Sequence, residues 1–221
     1  MSDAQAAETQ KPQRKQQQRS VVTQQKLLDA ALEAFSESGF KGTSTRDIAE
    51  RAGVHHPLIT YHFKNKDTLW RAAADRIFRE FNISLVKAMA EVEAVDPKGR
   101  AKAFVRTYVR YSRHQPALHK IILQEAGHRS ERLDWLVENH LRPLFDEVHK
   151  SLLELQDLGI APQGNAAMLF NMIRVAAGGL IALKQELKGT SGIDLDEDAQ
   201  IDELAELIIR VFFPGEVRPN P

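Results

Sequence analysis

The sequence of 221 residues contains no cysteine. That absence excludes a disulfide scaffold, a thiolate nucleophile and any Cys-ligated zinc or iron–sulfur site, and it suits a reducing compartment. No run approaches the roughly 18 consecutive apolar residues of a membrane span. No apolar stretch follows the N-terminal charges as it would in a signal peptide. Together these absences read as a cytoplasmic protein. Aromatic residues are only 7% of the chain, which weighs against an all-β fold. Also missing are a Gly-rich phosphate loop, a nucleophile elbow and a His-Glu-x-x-His zinc helix. The chain therefore reads as a non-enzyme without cofactor or metal.

Net charge is absent too, since 30 Lys and Arg balance 30 Asp and Glu. The layout is nevertheless polar. Residues 11–66 hold ten basic side chains against five acidic ones, and the rest of the chain is mildly acidic. Such a layout fits nucleic-acid contact confined to one end. Residues 1–19, rich in Gln and Ala and without apolar periodicity, read as a disordered arm, basic in its second half.

From Val22 onward the period is helical. Leu27, Leu28, Ala31, Leu32 and Phe35 form a stripe that Gly39 closes, giving a helix near 21–38. Shorter helices follow over about 45–52 and 56–62. Beyond them Leu69, Ala73, Ile77, Phe81, Leu85 and Met89 mark a fourth helix, which Asp96-Pro97 ends. Further helices are predicted near 98–113, after Pro116, from Leu133 to Leu155 with a kink at Pro143, over 163–187 and over 198–213. There is no strand alternation and no repeat. The fold class is all-α, with nine or ten helices: a helix-turn-helix domain over 20–80 (motif about 44–63), then a helical domain over 81–221.

Thr45 to Ile59 is the most informative stretch. Two helices cross closely only where the first has a small residue, the turn tolerates positive φ, and apolar residues pin the pair. Ala49, Gly53, and Ile48, Val54 and Ile59 supply these parts in turn.

The segments Gly39-Phe40, Thr43-Ser44-Thr45-Arg46-Asp47-Ile48-Ala49, Ala52-Gly53-Val54, and Tyr61-His62-Phe63-Lys64-Asn65-Lys66-Asp67 with Leu69 resemble the N-terminal domain of Tet repressor (TetR) family regulators. The match covers about residues 20–80. The resemblance implies an all-helical homodimer that binds operator DNA as a repressor and releases it when a small molecule enters the C-terminal domain. A constitutive DNA-binding protein without a ligand, and a helical enzyme, are the competing readings. One departure is His55, which stands where many members carry a Ser or Thr cap on the third helix.

Physical roles follow residue by residue. Thr45, at the start of the second helix, can hold a phosphate. Arg46 is long enough to reach a guanine edge. With Ile59 inward, the outward faces of the third helix carry His56, Pro57, Leu58, Thr60, Tyr61 and His62. Leu58 suits a thymine methyl, His56 and Thr60 base edges, and Tyr61 and His62 phosphates. Lys66 would share a phosphate with the amino end of the fourth helix.

In the C-terminal part, Phe104, Tyr108, Ile122, His140, Met168, Asn171 and Arg174 are the candidate ligand-binding residues. Aromatic and aliphatic walls with few polar groups suit a largely apolar effector. Arg174 favours an anionic head unless an acid such as Glu125 neutralises it. The last two long helices carry apolar faces in excess: Met168, Met172, Val175, Gly179 and Ile181 on one, Leu204, Leu207, Ile208, Val211 and Phe212 on the other. They are predicted to pair across a two-fold axis.

Overall fold

The computed structural model describes residues 3–92 and 96–215, with side chains from Gln16 onward. Ten helices and no strand occur among the described residues. The chain divides into two compact units, Met1–Ala74 and Asp75–Pro221.

In the first unit α1 (Asp3–Gly42) buries Leu27, Ala31 and Phe35 completely. Gly39, at φ 68° and ψ 175°, interrupts it. Only glycine takes that conformation without strain, so the apolar stripe ends there. The backbone is helical from Asp3, where a structureless arm was expected. Gln, Ala, Lys and Arg are good helix formers, so α1 extends outward with Gln16–Arg19 exposed. Met1, Ser2 and the side chains of Lys11, Arg14 and Lys15 lie outside the described residues.

Thr43, 3% exposed, ties the end of α1 in place, its hydroxyl shared between the carbonyls of Ala34 (3.0 Å) and Gly39 (2.8 Å). Ser44 then caps α2 (Thr45–Arg51), accepting from the Asp47 N–H at 3.0 Å. A cap of this kind contributes about 1 kcal/mol. Next come α3 (Pro57–Phe63) and α4 (Lys66–Ala90). The boundary between the units falls within α4.

The second unit continues with α5 (Pro97–His114) and α6 (Ala117–Ala126). The long helix α7 runs through Glu131–Leu136, a π-helical turn Val137–Leu141, and Arg142–Asp157. A kink was expected at Pro143; the π-turn ends two residues before it. Proline has no N–H and its ring crowds the carbonyl four residues back, and the wider turn relieves both. A second π-turn, Val175–Gly179, sits in α8 between Ala166–Arg174 and Leu180–Ala182. The helix expected over 163–187 breaks at Leu183 and bends by 77° into α9 (Lys184–Ser191). Finally α10 (Asp198–Phe212) buries Ile201, Leu204, Ala205, Ile208, Ile209 and Phe212.

That burial corrects the expected pairing face. Gly179, Ile181, Leu204, Ile208 and Phe212 are buried within the chain. Exposed on α8 are Met168, Met172 and Val175, and on α10 Leu207 and Val211, each between 50% and 68%. Both helices are apolar on two sides, and only the smaller side faces outward.

Candidate nucleic-acid interface and interior cavities

The α2–α3 pair is set by its turn. The Val54 N–H bonds the Ala49 carbonyl and the Gly53 N–H the Glu50 carbonyl, both at 3.0 Å. This doubly bonded helix end requires a left-handed residue, and Gly53 supplies it at φ 62°. Ala49, Ile48 and Ile59 are buried, as the crossing demands, while Val54 is half-buried. With Ile59 and Phe63 turned inward, α3 exposes Pro57, Thr60 and Tyr61, the last at 75%. Leu58 and His62 are half-buried, and the Tyr61 ring meets that of His62 edge-on at 5.0 Å. Arg46 is exposed on α2.

His56, not His55, is the N-cap of α3, and no side chain caps that helix. Its ring Nε2 lies 2.9 Å from Thr45 Oγ1. This bond joins the start of α2 to the start of α3 and fixes how both present themselves. Nothing in the sequence pattern links two residues eleven apart in this way.

Lys66 differs from expectation. Its ammonium donates to the Thr43 carbonyl at 2.7 Å and sits 4.3 Å from the centre of the Phe40 ring. Just before it, Lys64 has φ 63° and the Asn65 N–H bonds the Phe63 carbonyl at 2.7 Å. That is a γ-turn, which a non-glycine residue adopts only under strain. Lys64→Gly is therefore expected to raise stability by about 1 kcal/mol. Lys66→Ala, which removes a charged hydrogen bond and a ring contact, should lower it by about 2 kcal/mol. Urea unfolding of both variants checks the pair.

The second unit contains two cavities. One of about 240 Å³ is lined by Phe78, Phe81, Tyr108, Ile122, Arg142, Phe145, Asn171 and Arg174, among others. The other, about 600 Å³, is walled by Leu85, Phe104, Leu152, Leu155 and Ile173, with Arg100, Glu147 and Glu154 also lining it. Leu144 and Phe170 line both. Of the residues chosen from sequence, Tyr108, Ile122, Asn171 and Arg174 meet at the smaller cavity and Phe104 at the larger.

Two of those residues line neither. Met168 is 68% exposed on the outer side of α8. His140 is buried instead against the Phe78 ring, stacked at 4.6 Å, with Trp135 edge-on at 5.1 Å. Burial holds its imidazole below the usual range; Asp75, whose Oδ1 is 3.7 Å away, opposes the shift, and Arg79 adds to it. The exposed Arg142 and the half-buried Phe145 also line the smaller cavity and were not among the residues chosen from sequence. Glu125 does not reach Arg174; it pairs with Arg132 at 3.0 Å.

Beneath the smaller cavity lies a buried polar pair. The Tyr108 hydroxyl is 3.4 Å from His119 Nε2. Burial pushes the Tyr108 phenol well above its usual range, against the pull of the Arg174 charge. Burial first, and then Arg174, drive the His119 imidazole down to about 4. The Arg174 carbonyl acts the other way without making a regular hydrogen bond to Nδ1. The ring is neutral at physiological pH.

Residues 27–73 match the profile of the bacterial regulatory proteins of the tetR family. The chain is 26% identical over 195 residues to the HTH-type transcriptional regulator RutR of Escherichia coli (strain K12), covering 88% of this chain and 90% of that protein. Its fold is similar to that of the fatty acid degradation regulator FadR from Bacillus halodurans, with a TM-score of 0.63, 18% identity, and 84% and 94% of the two chains covered. It is similar also to AibR, solved with isovaleryl coenzyme A and operator DNA, with a TM-score of 0.71, 14% identity, and 88% and 100% covered.

Proposed function

The chain belongs to the TetR family of bacterial transcriptional regulators, and from that premise we propose that it is a homodimeric repressor released from its operator by a small, largely apolar molecule. Its kind is a DNA-binding regulator, not an enzyme. One observation supports the repressor reading above the rest. The Gly53 turn buries Ile59 and Phe63 while turning Arg46, Thr60 and Tyr61 outward. In this reading α3 lies in the major groove, with Leu58 against a thymine methyl and His56 and Thr60 at base edges. Pro57 pre-forms its first turn, and Tyr61 and His62 set the register on phosphates.

The fourth helix runs through both units and would carry the ligand's effect to the reading head. A dimer reading two half-sites tolerates little change in their spacing, so a ligand need only favour one of two helix arrangements. The larger pocket, a partly open cleft of about 600 Å³ walled by Leu85, Phe104, Leu152 and Ile173 with charged residues beside them, favours this over a constitutive DNA-binding protein. Among the described residues no single helix is long and apolar enough to cross a membrane, and a repressor would work in the cytoplasm, beside its DNA.

Selection of bound duplexes from a random pool tests the reading. Against the selected site, Arg46→Ala and Thr60→Ala should each cost roughly 1–3 kcal/mol and relax the preference at one base position. No enriched sequence, or full affinity in both variants, would overturn it.

A further inference from the structure

We propose that the two cavities of the second unit are one binding site for an amphiphilic anion. Its head group lies between Arg142 and Arg174 and its chain runs past Phe170 into the larger space. An unbranched alkyl carboxylate is the simplest member of this class. The proposal rests on the preceding reading only in taking the second unit to bind a small molecule, and adds that molecule's chemistry.

Size is the first argument. At about 240 Å³ the smaller cavity falls below the usual 300–1,000 Å³ of a ligand pocket, while the larger, about 600 Å³, falls within it. Because the Leu144 and Phe170 side chains are common to both walls, they are the partition between them. Phe170 packs edge-on against Phe145 at 5.3 Å. Its ring is thus held by another aromatic side chain rather than by a hydrogen bond, and an aryl contact of this kind can slide.

Charge sets the orientation. Arg174 donates to Asn171 Oδ1 at 3.3 Å. Neither it nor Arg142 has a carboxylate within ion-pair distance among the described residues. Several guanidiniums elsewhere in the unit are paired, Arg106 with Glu206, Arg110 with Asp202 and Arg132 with Glu125, whereas Arg129 and Arg210 are exposed and line neither cavity. The polar neighbours of Arg174 offer no compensation, since the buried Tyr108 phenol stays protonated and His119 stays neutral. The half-buried Arg174 and the exposed Arg142 line the same cavity, whose lining holds no carboxylate, so an anion is the head group it suits. The larger cavity has the opposite character. Its one arginine, Arg100, is already 3.6 Å from Glu154, and Glu147 adds a further negative charge. An anionic head is repelled there and an apolar chain is accepted by Leu85, Phe104, Leu152 and Ile173.

Calorimetric titration of the full chain with octanoate, dodecanoate, the alcohols of equal length and dodecylammonium tests the proposal. Carboxylates should bind at least tenfold tighter than the matching alcohols, and the ammonium weakest. Arg142→Gln with Arg174→Gln should bring the carboxylates down to the alcohols, while Arg110→Gln, on an exposed face of α5, keeps the difference. Phe170→Ala should move the preferred chain length upward; Phe170→Leu serves if the alanine variant unfolds. Equal affinity for acid and alcohol, tighter ammonium binding, or a preference surviving in the double arginine variant would overturn it. Gel shift of the selected operator separates the two readings. Carboxylate binding without operator binding sinks the repressor and keeps the anion site, and operator binding without carboxylate binding does the reverse.

Discussion

Met172→Glu combined with Val211→Glu is expected to yield a folded monomer that holds its operator at least a hundredfold more weakly than the parent. Both side chains are apolar and more than half exposed, at 58% and 55%, and they lie on the outward sides of α8 and α10. Met168 and Val175 continue the first stripe at helical spacing and Leu207 the second. Exposed apolar stripes of this kind suit packing against a second copy of the chain. Burying a carboxylate in it without a partner costs several kcal/mol, which exceeds what the surrounding contacts can offset. Loss of the second half-site follows, because linking two reading heads raises affinity by roughly 10²–10⁴. Light scattering should give a mass near the 24.9 kDa of one chain for the variant and twice that for the parent. A parent that is already monomeric at micromolar concentration, or a variant that remains dimeric, contradicts the pairing.

The reading head was legible because its geometry is written locally. Gly39 and Gly53 sit where the backbone turns left-handed, Ser44 caps within three residues, and Ala49 is small where two helices cross. Each of these is a short-range rule about one residue and its neighbours. The Thr45–His56 bond was not legible, since its partners belong to different helices. Nor were the cavities, whose walls come from residues between Phe78 and Phe213. Periodicity told which residues share a face of α8, but not which of two apolar faces turns inward. For that reason Met168 was assigned both to the ligand-binding residues and to the pairing face; it is 68% exposed. The π-turns left no mark either, because one extra residue in a helical turn changes no residue type.

Gly178 shows most clearly what sequence alone conceals. It lies in the π-turn of α8, where a Cβ would fall 2.0 Å from His119 Cε1 and 2.2 Å from Nε2. The imidazole, 2% exposed, rests on the glycine backbone and has nowhere to retreat. Gly178→Ala is therefore expected to destabilise the fold by about 3 kcal/mol, at the upper end of overpacking. In a His119→Ala background the same substitution should change sign. With the ring gone the methyl has room, and replacing a helical glycine by alanine then stabilises by up to about 1 kcal/mol. The double-mutant cycle thus isolates one contact between residues 59 apart in the chain. Acid supplies an independent readout. Folded His119 titrates near 4 and an unfolded histidine at about 6.5. Stability is therefore full above about pH 6.5 and falls as pH drops toward 4, where the unfolded chain takes up the proton that the folded one refuses. That slope should be shallower in His119→Ala. Should Gly178→Ala prove equally harmful with and without the ring, steric contact with His119 is not what requires glycine at this position.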